Sequence, residues 1–205
     1  MKSGKLKPVL CIVALGLMLA VPVLARAPHG RVGKSNTAFL ALYEKDPVTW
    51  EIVEDGAWGV MKYRIKAPLF RFVFIGRGLE PHQEYTLIYY PDPWPGSGLI
   101  CLGSASTDVE GNLIIVGAAD TGDLPKETDE NYPDGAKIWL VLSADLNCVP
   151  TEQTPTRMTA WNPTEYLFEF DLITYEKTEP RMGPPGDDND DNGDDDDDDD
   201  LEPGY

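Results

Sequence analysis

The residues of this 205-residue chain that could do chemistry are mostly carboxylates, 35 Asp and Glu against two His and three Cys. Two stretches concentrate them. Asp188-x-Asp190-x-Asn192-Gly193-Asp194-x-Asp196 sets oxygens at alternate positions, with glycine where a cation-binding loop must turn sharply, as at the start of an EF-hand loop. Its twelfth position is Asp199 rather than a bidentate Glu, and no helical pattern flanks it, so the spacing predicts loose Ca²⁺ association and not a built site. The second stretch is 118–136, where Asp120, Asp123, Asp129 and Asp134, with Glu127 and Glu130 between them, could gather oxygens around one Ca²⁺. The plainer reading is a solvated loop, since charge is the default on a connecting segment. Ca²⁺ is the only cofactor the pattern suggests, and none is required.

Other chemistries find less. His29 and His82 are the only imidazoles, no zinc-type spacing exists, and no Gly-x-Ser-x-Gly appears. His82 reads as a polar turn residue. A carboxylate-dependent glycan hydrolase is the enzyme class left open, because the separation of two carboxylates is not written in a sequence. The expectation is therefore no enzyme. The remaining candidate is aromatic. Pro91-Asp92-Pro93-Trp94-Pro95-Gly96 cannot be a central strand, because three prolines remove three backbone donors. It is a stiff loop, and Trp94 with Tyr89 or Tyr90 would offer a stacking platform to a sugar ring. The competing reading folds Trp94 back as a lid, as large aromatics are mostly buried.

These residues need elements to hold them, and the ends of the sequence bound where such elements lie. Lys2, Lys5 and Lys7 precede an apolar run over 9–24, the charge-then-apolar pattern of a secretory signal, taken here as 1–25. The run is short and broken by Pro22, so no stable membrane span is expected after cleavage. Export implies an oxidising setting, which makes Cys101 and Cys148 a disulfide pair. A formal net charge of −18 excludes nucleic acid and anionic membrane surfaces as partners.

Between a loose segment at 26–36 and a composition break at 177, alternation predicts strands near 38–45, 48–54, 57–65, 69–75, 85–90, 99–103, 113–117, 137–142 and 165–175. Phe70, Phe72 and Phe74 share one face of such a strand. About nine short strands without a helical period mean an all-β fold, a single antiparallel β-sandwich over 37–176. Residues 177–205 are a Pro/Gly linker and an aspartate run that cannot bury a core, hence a disordered acidic tail.

Leu79-x-Pro81-x-x-x-Tyr85, followed by Thr86-Leu87-Ile88-Tyr89, resembles the tyrosine corner of fibronectin type III-like and Ig-like sandwiches. The resemblance implies that Leu79 plugs the core, Pro81 fixes the turn, and the Tyr85 hydroxyl bonds back to main chain upstream. In that family the corner comes near the domain's end, whereas about ninety residues of expected structure follow here, which implies a larger or different sandwich. The Tyr-Tyr-Pro-Asp-Pro-Trp-Pro-Gly block and the Gly-Ala-Lys-Ile-Trp-Leu-Val strand also resemble uncharacterised secreted proteins of prokaryotes, particularly archaea; that likeness implies an address and no activity.

The expectation is thus a secreted, non-enzymatic module at the cell surface or in a matrix, whose partner is a glycan or another surface protein. A carbohydrate-binding module using Tyr89, Tyr90 and Trp94 is the alternative, and a glycan hydrolase the third.

Overall fold

The computed structural model describes residues 35–180, so the expected signal segment and the aspartate run lie outside the described residues. Seven strands of six to eight residues build the fold: β1 (Thr37–Tyr43), β2 (Trp58–Arg64), β4 (Phe70–Arg77), β5 (Glu84–Tyr90), β6 (Ile100–Ser106), β7 (Leu113–Ala119) and β8 (Lys137–Leu142). Five two-residue pieces tie the margins: β3 (Lys66–Ala67), β9 (Leu146–Asn147), β10 (Arg157–Met158), β11 (Phe168–Glu169) and β12 (Glu176–Lys177). A five-stranded antiparallel sheet runs β11-β1-β2-β4-β7, and a three-stranded antiparallel sheet runs β6-β5-β8. The pair β9–β10 is antiparallel, and β3–β12 is parallel.

Side-chain alternation explains the layering. In β4, Phe70, Phe72 and Phe74 are buried while Arg71, Val73, Ile75 and Arg77 are exposed, a strict two-residue period. Leu40, Met61, Phe72 and Phe74 from the larger sheet pack in one core with Tyr85, Leu87, Ile138 and Leu140 from the smaller. Burying each such side chain is worth about 1.5–3 kcal/mol. Gly59 makes room for this core: a Cβ there would meet the Phe74 ring at 2.2 Å.

The smaller sheet is buried on its other face too. Ile88, Tyr90, Trp139 and Val141 point away from the first core into a second one, closed by Leu99, Met158, Tyr166 and Phe168. Two-sided burial is why β5 and β8 read as nearly unbroken apolar runs. The Cys101–Cys148 disulfide fastens β6 to the covering segment, as expected from the cysteine count.

The larger sheet's outer face is open. Register aligns its residues in rows: Phe39, Lys62, Val73 and Val116 in one, and Ala41, Val60, Ile75 and Ile114 in the next. Arg77 stands opposite Trp58 at one end, and Arg71 opposite Ala118 at the other.

Three expectations are corrected. Residues 48–54 are not a strand: Asp46 Oδ1 accepts the N–H groups of Val48 and Thr49 at 2.9 and 2.8 Å, closing a tight turn, and only Ile52 bridges back, to Lys45. The single strand expected over 165–175 breaks into β11 and isolated bridges at Leu167, Ile173 and Tyr175, because the segment passes from one sheet to the other. The Tyr85 corner lacks its expected hydrogen bond. Tyr85 is fully buried and its hydroxyl has no partner among the described residues. Burial pushes its pKa up to about 12, and the neighbouring Glu80 backbone pulls the other way without closing a bond. Thr107 ties the bend instead: its hydroxyl donates to Glu80 O at 2.7 Å and accepts from Gln83 N at 3.0 Å. Leu79 plugs the core as the resemblance implied.

Candidate functional site

Four of the chain's five tryptophans meet at one edge of the second core. Trp50, Trp94 and Trp161 remain 49%, 50% and 40% exposed, more than packing alone would leave to such large rings. They border an open groove of about 650 Å³, lined also by Tyr90, Asp92, Pro93, Glu130, Lys137 and Trp139.

Each wall has a local cause. Trp139, on β8, lies flat on Tyr90 of β5, ring centroids 3.9 Å apart and 13° from parallel, and the pair forms the floor. Trp50 sits in the Asp46-closed turn in a left-handed conformation, φ 59°, and its ring meets Phe168 edge-on at 5.1 Å. Trp94 sits in the proline loop, where the peptide bonds before Pro93 and Pro95 are cis. That loop is pinned by Met158 N donating to Pro95 O and Gly98 N donating to Thr156 O, both at 2.9 Å. Gly96, at φ 70°, admits the Tyr90 ring, which a Cβ would meet at 2.4 Å.

Trp161 is set by a polar trio in which buried Tyr166 and Asp145 meet the exposed Asn162. The Tyr166 hydroxyl donates to Asp145 Oδ2 at 2.6 Å, Asn162 Nδ2 donates to the same oxygen at 2.8 Å, and Asn162 N donates to the Tyr166 oxygen at 3.0 Å. Burial and the adjacent Asp145 hold the Tyr166 hydroxyl protonated far above the usual phenol range. The opposite rim repeats the device. Tyr89 donates to buried Asp129 at 2.6 Å, while Asn131 donates to Asp129 through N and Nδ2, both at 3.0 Å. Asn131 Nδ2 also donates to Asp92 at 2.7 Å, and Asp92 forms an ion pair with Lys137. A Tyr–Asp hydrogen bond backed by an asparagine thus stands on each side of the groove.

Below the floor lies Glu169. Its Oε2 and the Trp139 Nε1 are both buried, and neither completes a hydrogen bond of ordinary geometry. Burial raises the Glu169 pKa to about 7, against smaller opposing effects that include the nearby lysines and the Trp139 indole.

Of the residues singled out from sequence, Trp94 is exposed at the rim and not a lid, and Tyr90 belongs to the floor. Tyr89 is fully buried, points into the first core, and is not a ligand contact. Trp50, Trp139 and Trp161 were not anticipated; their separation over the chain hides their convergence. The four aspartates offered to Ca²⁺ from sequence are not gathered in one cluster. Asp120 is paired with Lys177 at 2.7 Å, which lowers its pKa, and Asp123 accepts Lys177 N at 2.7 Å. Asp129 is committed to Tyr89, and Asp134 is exposed. Among the described residues no group of three or more His, Cys, Asp or Glu could hold a metal ion. The EF-hand-like stretch lies outside them. His82 is exposed in its turn at φ 59°.

Fold and groove together define an all-β sandwich protein with a tryptophan-lined groove at one margin. No family model, no curated protein and no solved structure matches the chain. Among the described residues no helix is long and apolar enough to cross a membrane.

Proposed function

We propose that this chain is a secreted, non-enzymatic binding module, Ig-like or fibronectin III-like in architecture, that holds a glycan in the tryptophan groove at a cell surface or in a matrix. The convergence of three half-exposed indoles from three separate loops is the observation that carries the reading. Indole faces stack against the C–H faces of sugar rings, and the rim groups Asp92, Glu130 and Lys137 suit hydroxyl hydrogen bonding. Trp94 and Trp161 meet edge to face, 75° apart, so the surface suits a single bent glycan chain or a terminal sugar better than a flat polymer face. Asp92 Oδ2 accepts from both Lys137 and Asn131, which holds the carboxylate in place at the rim. The disulfide supports the extracellular address.

Titration of the protein with a glycan panel, followed by calorimetry and tryptophan fluorescence, tests this. Binding by at least one glycan is expected, with Trp94→Ala weakening it about tenfold or more, ~1.4 kcal/mol. Trp94→Ala should leave the melting temperature nearly unchanged. A panel that gives neither heat nor a fluorescence change would leave only a scaffold role.

A further inference from the structure

The open face of the larger sheet has a charge pattern at odds with the chain as a whole. Against a net charge of −18, its outward positions carry Lys62, Arg64, Arg71 and Arg77, four of the ten lysines and arginines in 35–180, and no carboxylate. Lys62, Arg64 and Arg71 border a shallow groove of about 590 Å³ floored by Val73 and Val116. Among the described residues no carboxylate pairs with these three; Lys62 lies over the Phe39 ring at 6.0 Å, and Arg77 donates to Asn112 Oδ1 at 2.9 Å with the Asp108 carboxylate nearby.

We propose that the aspartate run 187–200 of the same chain docks across this face, held by Lys62, Arg64, Arg71 and Arg77. The path of the chain supports it. Glu176 N donates to Ile65 O at 2.9 Å and Thr178 N to Ala67 O at 3.0 Å, so the described chain leaves beside the turn that joins Arg64 to Arg71. Six residues then separate Pro180 from Asp187, a reach of roughly 20 Å when extended, about the length of face between Arg71 and Arg77. The run holds eleven carboxylates in fourteen residues and carries no cation. A tether this short gives an effective concentration of the order of millimolar, which lets individually weak exposed ion pairs act together. A second copy offering the same face is disfavoured, because four cations would oppose four.

Lys62 supplies the assay, being the one amine among the four cations. A zero-length carbodiimide cross-linker applied to the full chain should join Lys62 to the 187–200 peptide in species of monomer mass, read by mass spectrometry. The cross-link should vanish at ~1 M salt, where the screening length falls to about 3 Å. It should also vanish in Arg64→Glu/Arg71→Glu, which retains Lys62 and whose folding is checked by its disulfide and melting temperature. A Lys62 cross-link found only in dimers, one that survives both salt and charge reversal, or none at low salt, would overturn the proposal.

Discussion

The two sheets treat their outer faces in opposite ways. The smaller sheet is roofed by the 143–168 segment and buries Ile88, Tyr90, Trp139 and Val141 beneath Met158, Tyr166 and Phe168. The larger sheet leaves Val73, Ile75, Ile114 and Val116 in the open, interrupted by lysine and arginine. The roof does not close completely: where it meets the proline loop and the Asp46 turn, three indoles stay half in solvent. A covered face can thus provide a groove with fixed walls, because its roof is held by a disulfide and by buried Tyr–Asp contacts. A bare face of the same width provides only a shallow surface, whose specificity must come from charge.

The largest expected effect tests whether the roof is real core. Phe168→Ala should cost about 3–5 kcal/mol in chemical denaturation, because a fully surrounded aromatic leaves a cavity. Val116→Ala, on the bare face, should stay within about 0.5 kcal/mol. Comparable losses at the two positions would erase the distinction between the faces.

Glu169 adds a dependence on pH beneath the roof. Its carboxyl is raised to about 7 in the folded protein from an ordinary value of 4.5. Between those values the folded state binds more protons than the unfolded one, so stability falls as pH rises and levels off above about 7. The full swing is about 3 kcal/mol. Glu169→Gln should remove that slope and gain most of this energy at pH 8, measured as the difference between the two denaturation curves across pH. A variant whose slope matches the parent would place the titrating group elsewhere.

The long strands were legible because each buries one face or both. Alternation located β4 by Phe70, Phe72 and Phe74, and the apolar run 137–142 matched β8 to the residue. The compartment argument gave the disulfide. The roof was not legible, because its order comes from contacts distant in sequence: β11 is two residues long and depends on Tyr43 and Leu42, and the Trp50 turn imitates a strand through Val48, Trp50 and Ile52. Trp94 stood out because prolines flank it, whereas Trp161 lay in a featureless loop whose position is fixed by Asp145, seventeen residues upstream of Asn162. The acidic loop fits the plainer of its two readings. Its aspartates are numerous, but Lys177 and Tyr89 claim them from outside the loop.

The smallest effect separates the two Tyr–Asp contacts that flank the groove. Tyr166→Phe and Tyr89→Phe each delete one hydroxyl donor to a buried carboxylate that keeps an asparagine donor, so each should cost about 1.5 kcal/mol. Their consequences for the groove should differ. Tyr166 also accepts from Asn162 N beside Trp161, whereas Tyr89 accepts from Lys126 N and is linked to the Trp94 loop only indirectly, through Asp129, which accepts from Asp92 N at 3.4 Å. Tyr166→Phe should therefore shift tryptophan emission and quencher access clearly, and Tyr89→Phe, whose Asp129 keeps its Asn131 donors, should shift them far less. If Tyr89→Phe altered the emission to the same degree, the indoles would be responding to general loosening of the sandwich, and the roof could not be credited with holding them.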